Sequence, residues 1–172
     1  MFGKVKQLTA ENTALKQELS VMQERFNAMQ TSLAIIEFST EGNIIDVNRK
    51  FADITGFSEN ELIGKNHKSL CPATYASSEK YTRFWEDLNK GNAFSGQVHR
   101  INKSGGDIWL EANYFPVVDS SGNVTKVLKV ANDVTKRVQQ AHMNNSLLTA
   151  INRSMAIIQF DLDGKVTFAN TN

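Results

Sequence analysis

Apolar residues near the start of the chain recur on a seven-residue frame. Val5, Asn12, Leu19, Phe26 and Leu33 fall on one position of it, and Leu8, Leu15, Met22 and Met29 stand three residues further on. This spacing keeps a narrow apolar stripe along a helix, the a and d seam of a coiled coil. Asn12 is the one polar residue in that seam. A buried asparagine at an a position lowers stability but favours an in-register two-stranded coil. The frame therefore predicts a helix over residues 1–31 that pairs in parallel with a second copy. The other reading is an amphipathic helix packed on its own domain.

From Leu33 the period changes. Ala34-Ile35-Ile36-Glu37-Phe38, then Thr40-Glu41-Gly42-Asn43, then Ile44-Ile45-Asp46-Val47 read as strand, glycine turn and strand. Ser58-Glu59-Asn60-Glu61 is a capping box ahead of Leu62-Ile63, and Gly64 ends that short helix. A longer helix runs from about Ser78 through Phe84, Trp85 and Leu88 and closes at Gly91. Three extended stretches follow, separated by the turns Lys103-Ser104-Gly105-Gly106 and Asp119-Ser120-Ser121-Gly122-Asn123. Past Asp133-Val134-Thr135 a polar helical stretch resumes through Val138, Ala141, Leu148 and Ile151. The pattern predicts an α+β fold: a five-stranded antiparallel sheet with helices inserted after its second strand, flanked by an N-terminal coiled-coil helix and a C-terminal linker helix.

The opening strand occurs twice. Ser32-Leu33-Ala34-Ile35-Ile36-Glu37-Phe38 reappears as Ser154-Met155-Ala156-Ile157-Ile158-Gln159-Phe160, and Gly42 and Asn48 reappear as Gly164 and Asn170, each 122 residues further on. A period this long is that of tandem domains, not of a solenoid. The domain organisation expected is a coiled coil over 1–31, a domain over 32–136, a linker helix over 137–153, and the truncated start of a second domain over 154–172.

Composition narrows the function classes. Nineteen basic residues against 18 acidic ones leave no excess charge to attract a phosphate backbone or an anionic membrane. Cys71 is the only cysteine, which excludes an internal disulfide framework and a multi-cysteine metal site. Apolar runs such as Leu33–Ile36 fall far short of the roughly 20 residues that cross a bilayer, and the cytoplasm is the expected location. No phosphate-binding glycine loop, nucleophile elbow or paired carboxylates occur at a recognisable spacing, so the chain is not expected to be an enzyme.

Phe51–Ser58, Glu61–Lys65 and Asp133–Thr135, in that order over about residues 31–136, resemble the diagnostic pieces of a PAS domain. Gly64–His67, Phe84–Leu88, Gly91, Gly96, and Trp109–Asn113 with Pro116 are similar to the sensor modules of bacterial methyl-accepting chemotaxis receptors of the aerotaxis-like kind. In soluble receptors of that group, tandem PAS domains precede a signalling region that engages the receptor-coupled histidine kinase. The resemblance implies a homodimeric sensory module with no nucleic acid or membrane partner.

Asn66-His67-Lys68-Ser69-Leu70 aligns with the flavin-binding segment of light-oxygen-voltage domains, but His67 stands where those domains carry the adduct-forming cysteine. The Asn66–His67 pair resembles redox-sensing PAS domains that bind FAD, and Trp85 stands where they place a tryptophan over the cofactor. The strand positions that supply asparagine there are Arg100 and Leu110, and Ala131 replaces a glutamine. The cofactor-binding set this implies is Asn48, Asn66, His67, Trp85, Arg100, Trp109, Asn113 and Asn132, with FAD as the expected cofactor. His67 as an iron ligand of haem is the alternative. A cleft filled by side chains, serving as a dimerisation scaffold or a small-ligand site, is the third reading. His99 is expected on a strand surface and His142 on the exit helix. Lys68 near Cys71 allows a lowered thiol pKa, against the plainer reading of an inert, half-buried cysteine.

Overall fold

The computed structural model describes residues 2–172. It falls into two units, the first ending at Asp133 and the second running Val134–Asn172.

The first unit opens with helix α1 (Phe2–Ser32), 31 residues and hence about 46 Å long. Its heptad seam faces solvent: Leu8 is 57% exposed, Leu15 65%, Leu19 65% and Met22 67%. The helix is therefore not amphipathically packed on its own domain. Strands β1 (Ala34–Phe38) and β2 (Ile44–Val47) follow, then helices α2 (Arg49–Thr55) and α3 (Glu59–Leu62), and a 3₁₀ turn over His67–Leu70. Helices α4 (Ala73–Ala76) and α5 (Glu79–Asn89) lead into β3 (Phe94–Ile101), β4 (Asp107–Val118) and β5 (Val124–Asp133).

Local sequence sets the helix ends. Ser58 and Glu61 form the expected capping box on α3, and the Ser78 hydroxyl accepts from the Tyr81 amide at the start of α5. Gly42 turns the first hairpin at φ 82°, and a Cβ there would lie 3.0 Å from the Trp85 ring. Both the turn and the helix packed on it require glycine.

All pairings in the sheet are antiparallel, in the order β2-β1-β5-β4-β3. The first strand thus lies between the second and the last. One face of the sheet carries Ile36, Phe38, Val98, Leu110, Ala112, Tyr114, Val127 and Ala131, packed under the helices against Phe51, Leu62, Leu70 and Leu88. Each of the valine, leucine, isoleucine and phenylalanine side chains among them contributes about 1.5–3 kcal/mol when fully buried.

The second unit contains α6 (Thr135–Ser154) and a hairpin of β6 (Ile158–Phe160) and β7 (Val166–Ala169). The helix opens two residues before the expected 137, at Thr135. The hairpin repeats the first one bond for bond. Ile36↔Val47, Glu37↔Asp46 and Phe38↔Ile44 recur as Ile158↔Ala169, Gln159↔Phe168 and Phe160↔Val166, with the irregularity at the same step.

Candidate functional site

The group of interest is a polar network enclosed between the helices and the inner face of the sheet. Asn66 caps the 3₁₀ turn by accepting from the Lys68 amide at 3.2 Å. Its amide donates to the Glu41 carbonyl and to Asn43 Oδ1, both at 3.0 Å, so the turn is stitched to the first hairpin. The His67 amide donates to the Gly42 carbonyl at 2.8 Å. These bonds direct the His67 side chain into the core, where it is fully buried.

The imidazole bridges two phenols, with Nδ1 3.2 Å from Tyr81 Oη and Nε2 3.1 Å from Tyr114 Oη. It lies nearly parallel to the Tyr81 ring and edge-on to Trp85, at 5.6 and 5.5 Å between centroids. Arg100 Nη2 donates to Tyr114 Oη at 3.0 Å, and Nη1 to the His99 carbonyl at 2.6 Å. Cys71 Sγ donates to the His67 carbonyl at 3.4 Å.

Burial, with Arg100 and then Lys129 adding to it, holds the His67 imidazole well below its ordinary pKa, so it is neutral. Burial pushes the Cys71 thiol up, with Arg100 and Lys129 offsetting only part of the rise, and the thiol is inert rather than activated. Burial raises the Tyr114 phenol to about 12 against the opposing Arg100 charge. Tyr81 is raised by burial as well, and the Trp85 indole only partly opposes it.

Lys129 is the residue that motif reasoning misses. It points inward from β5 between Val127 and Ala131 and is fully buried, its Nζ without a hydrogen-bond partner. The nitrogen lies 4.9 Å from the Tyr114 ring centroid and 5.2 Å from that of Phe51. Burial first, and Arg100 second, hold its pKa well below the ordinary lysine value. Period-two counting from Val127 and Ala131 carries the signal for this placement, and the same counting from Leu110 and Ala112 finds Tyr114.

Of the expected set, His67, Trp85 and Arg100 come together in this interior. The other residues do not. Asn48 is a structural clamp: its Oδ1 accepts from the Ile35 and Phe51 amides, and its Nδ2 donates to the Gln30 and Leu33 carbonyls. Asn66 spends its side chain on the hairpin. Trp109 and Asn113 alternate with the buried Leu110, Ala112 and Tyr114 and so lie on the opposite face, where Trp109 stacks on His99 at 4.8 Å. Asn132 lies beside Glu111 on that same face and is exposed. His99 is half-exposed and bonds Asp107 at 2.7 Å.

The residues present do not fit an isoalloxazine. The inward strand positions include Arg100, Leu110, Tyr114, Lys129 and Ala131, and the amides Asn113 and Asn132 face away. Between the helices and the sheet the interior is filled by Phe38, His67, Phe84, Trp85 and Tyr114, at 5.0–6.5 Å between centroids. Haem fits no better. Both nitrogens of His67 are bonded to phenols, and its ring lies nearly parallel to those of Tyr81 and Phe84, at 5.6 and 6.1 Å between centroids. The described residues hold no group of three metal-ligating side chains and no helix long and apolar enough to cross a membrane.

Comparison with known proteins agrees with this architecture. The biofilm dispersion protein BdlA of Pseudomonas aeruginosa is 48% identical over 145 residues, 84% of this chain and 35% of that protein. The nitrogen fixation regulatory protein of Klebsiella oxytoca is 25% identical over 146 residues, 82% of this chain and 29% of that protein. The chain thus spans about a third of the length of these relatives. The crystal structure of a PAS domain from Colwellia psychrerythraea superposes with a TM-score of 0.60 at 22% identity, covering 67% of this chain and 98% of that one. An RNA-binding light-oxygen-voltage receptor gives 0.59 at 23% identity, covering 69% and 34%. A PAS domain profile matches residues 32–136, the stretch that forms the sheet and its helices, and the chain belongs to the PAS domain family.

Proposed function

We propose that this chain is the signal-input segment of a chemotaxis-type protein, in which PAS copies stand in tandem and each is joined to the helix before it by an asparagine clamp. The observation that carries the reading is the duplication of that clamp. Asn48 Oδ1 accepts from the Ile35 amide and its Nδ2 donates to the Gln30 and Leu33 carbonyls. Asn170 makes the equivalent bonds to Ile157, Asn152 and Met155. A side chain that ties the last turn of a helix to the first two strands converts a shift in the sheet into a shift of the helix. Such a device needs two arrangements of similar energy, biased by what the domain binds.

In this reading the module acts as a homodimer through α1, without catalysis of its own and in the cytoplasm. It passes its signal to a methyl-accepting region that engages a histidine kinase. The input is a small ligand and not flavin or haem, because aromatic side chains fill the interior between the helices and the sheet. The test is a hybrid in which this chain replaces the aligned stretch of BdlA, scored for biofilm dispersion. The intact hybrid is expected to support dispersion, and the folded Asn48→Ala hybrid to lose it. An inert intact hybrid, or full response with Asn48 replaced, would overturn the proposal.

A further inference from the structure

Among the described residues Arg100 is the one buried group that cannot shed its charge. The buried polar or charged side chains among the described residues are Thr55, His67, Arg100 and Lys129, with no carboxylate among them. The guanidinium bonds only neutral groups, the His99 carbonyl and Tyr114 Oη, with His67 Nε2 at 3.4 Å, and its Nε has no partner. An isolated buried cation is unfavourable unless an anion compensates it. Lys129, the other buried basic side chain, supplies no anion.

Arg100 also lines a cleft of about 500 Å³ between α4, α5 and β3. Tyr75, Phe84 and Phe94, all half-buried, give it apolar walls, and the exposed Lys80 and Arg83 lie at its edge. The one carboxylate in the lining, Asp87, pairs with Lys90 at 3.7 Å. The size is that of a small-molecule site, which is commonly a few hundred Å³, mostly apolar, with a few polar groups that orient the ligand.

We propose that this cleft binds a small organic carboxylate with a flat apolar body, its carboxylate paired with Arg100 and its body against Phe84 and Phe94. Nε and Nη2 form one edge of the guanidinium fork, and that edge matches the two oxygens of a carboxylate. Phe84 and Phe94, in edge-to-face contact at 5.3 Å between centroids, form an aromatic wall that suits a planar hydrocarbon body better than a phosphate. The compensating charge reaches the interior network directly, since Arg100 bonds Tyr114 and Tyr114 bonds His67. His67 in turn sits on the turn stitched to the first hairpin. The proposal deepens the signal-input reading and rests on it for its biological meaning.

The test measures melting temperature and amide chemical shifts of the 172-residue chain with benzoate and phenylacetate against benzamide and phenylacetamide, at millimolar concentration and constant ionic strength. The acids are expected to raise the melting temperature in a concentration-dependent way and to shift the amides of β3 and α5, while the uncharged amides do neither. Arg100→Gln should abolish the response and leave the ligand-free chain at least as stable, because a lone buried charge has gone. Lys80→Gln and Phe94→Ala, at less buried positions, should each weaken binding, the latter by about tenfold. Acids and amides acting alike, no response to either acid, or an unchanged response in Arg100→Gln would overturn the proposal. Should Arg100→Gln not fold, an unchanged response in both Lys80→Gln and Phe94→Ala would do so. Absence of binding with an active BdlA hybrid removes the carboxylate site alone, and binding with an inert hybrid removes the signalling reading alone.

Discussion

Lys129 is where the fold departs furthest from what its residue type prefers. A primary amine sits fully buried between two rings with no acceptor in reach, and an unpartnered buried polar group costs about 1–3 kcal/mol. Lys129→Met keeps the length of the side chain and removes the amine. It should raise the urea midpoint by an amount equivalent to about 1–3 kcal/mol at unchanged slope. A lower midpoint would mean that Nζ has a partner worth keeping. The same residue gives stability a pH dependence whose sign follows from proton counting. In the folded chain burial holds the pKa values of both Lys129 and His67 well below their ordinary ones. The unfolded chain binds those protons below about 10.5 and 6.5 respectively, so stability is lost as pH falls and gained as it rises. Tyr114 works in the opposite direction, since unfolded tyrosine ionises above about 10 while the folded phenol waits until about 12. Stability should therefore climb from about pH 5 to about pH 9 and fall beyond about pH 10. Denaturation across that range checks it, and a Lys129→Met chain should show a flatter acid limb.

At the scale of elements, the asparagine clamp ties four backbone groups to one side chain. Asn48→Ala removes the N-cap of α2 and leaves backbone groups of β1 and the α1 end without partners, for a loss of about 2–4 kcal/mol. Asn48→Asp keeps both accepted bonds and loses both donated ones, so it should lie between wild type and alanine in thermal unfolding. An alanine chain as stable as wild type would show that water replaces the clamp at no cost. Helix ends and turns were legible because their chemistry is local: Ser58 with Glu61, Ser78, Gly42 and the turns before β4 and β5 all stand where the sequence puts them. The site was only half legible. Alternation divides β4 into two sets, Leu110, Ala112 and Tyr114 against Trp109, Glu111 and Asn113, but a motif with large aromatic and amide residues in the second set draws the ligand to the wrong face. Lys129 shows the converse, because its charge argues for the surface while its parity places it inside.

On the scale of the whole molecule, the repeat of 122 residues was legible from seven residues and extends to the hydrogen bonds that join each helix to its sheet. What fills the interior was not. The packing of Phe38, His67, Tyr81, Phe84, Trp85 and Tyr114 depends on rings arriving from β1, the 3₁₀ turn, α5 and β4 together, and no window of sequence contains that geometry. The solvent-facing seam of α1 leads to the last prediction. A single helix of 31 residues that exposes Val5, Leu8, Leu15, Leu19 and Met22 along one line presents a continuous apolar stripe to water, which isolated soluble helices do not sustain. Pairing with a second copy buries the stripe, and Asn12 at an a position favours two strands in parallel register. The full chain should sediment as a dimer, and a chain beginning at Thr31 as a monomer at the same concentration. Equal dimerisation of the shortened chain would transfer the contact to the outer face of the sheet, around Trp109 and Asn132, and the heptad would then have no part in assembly.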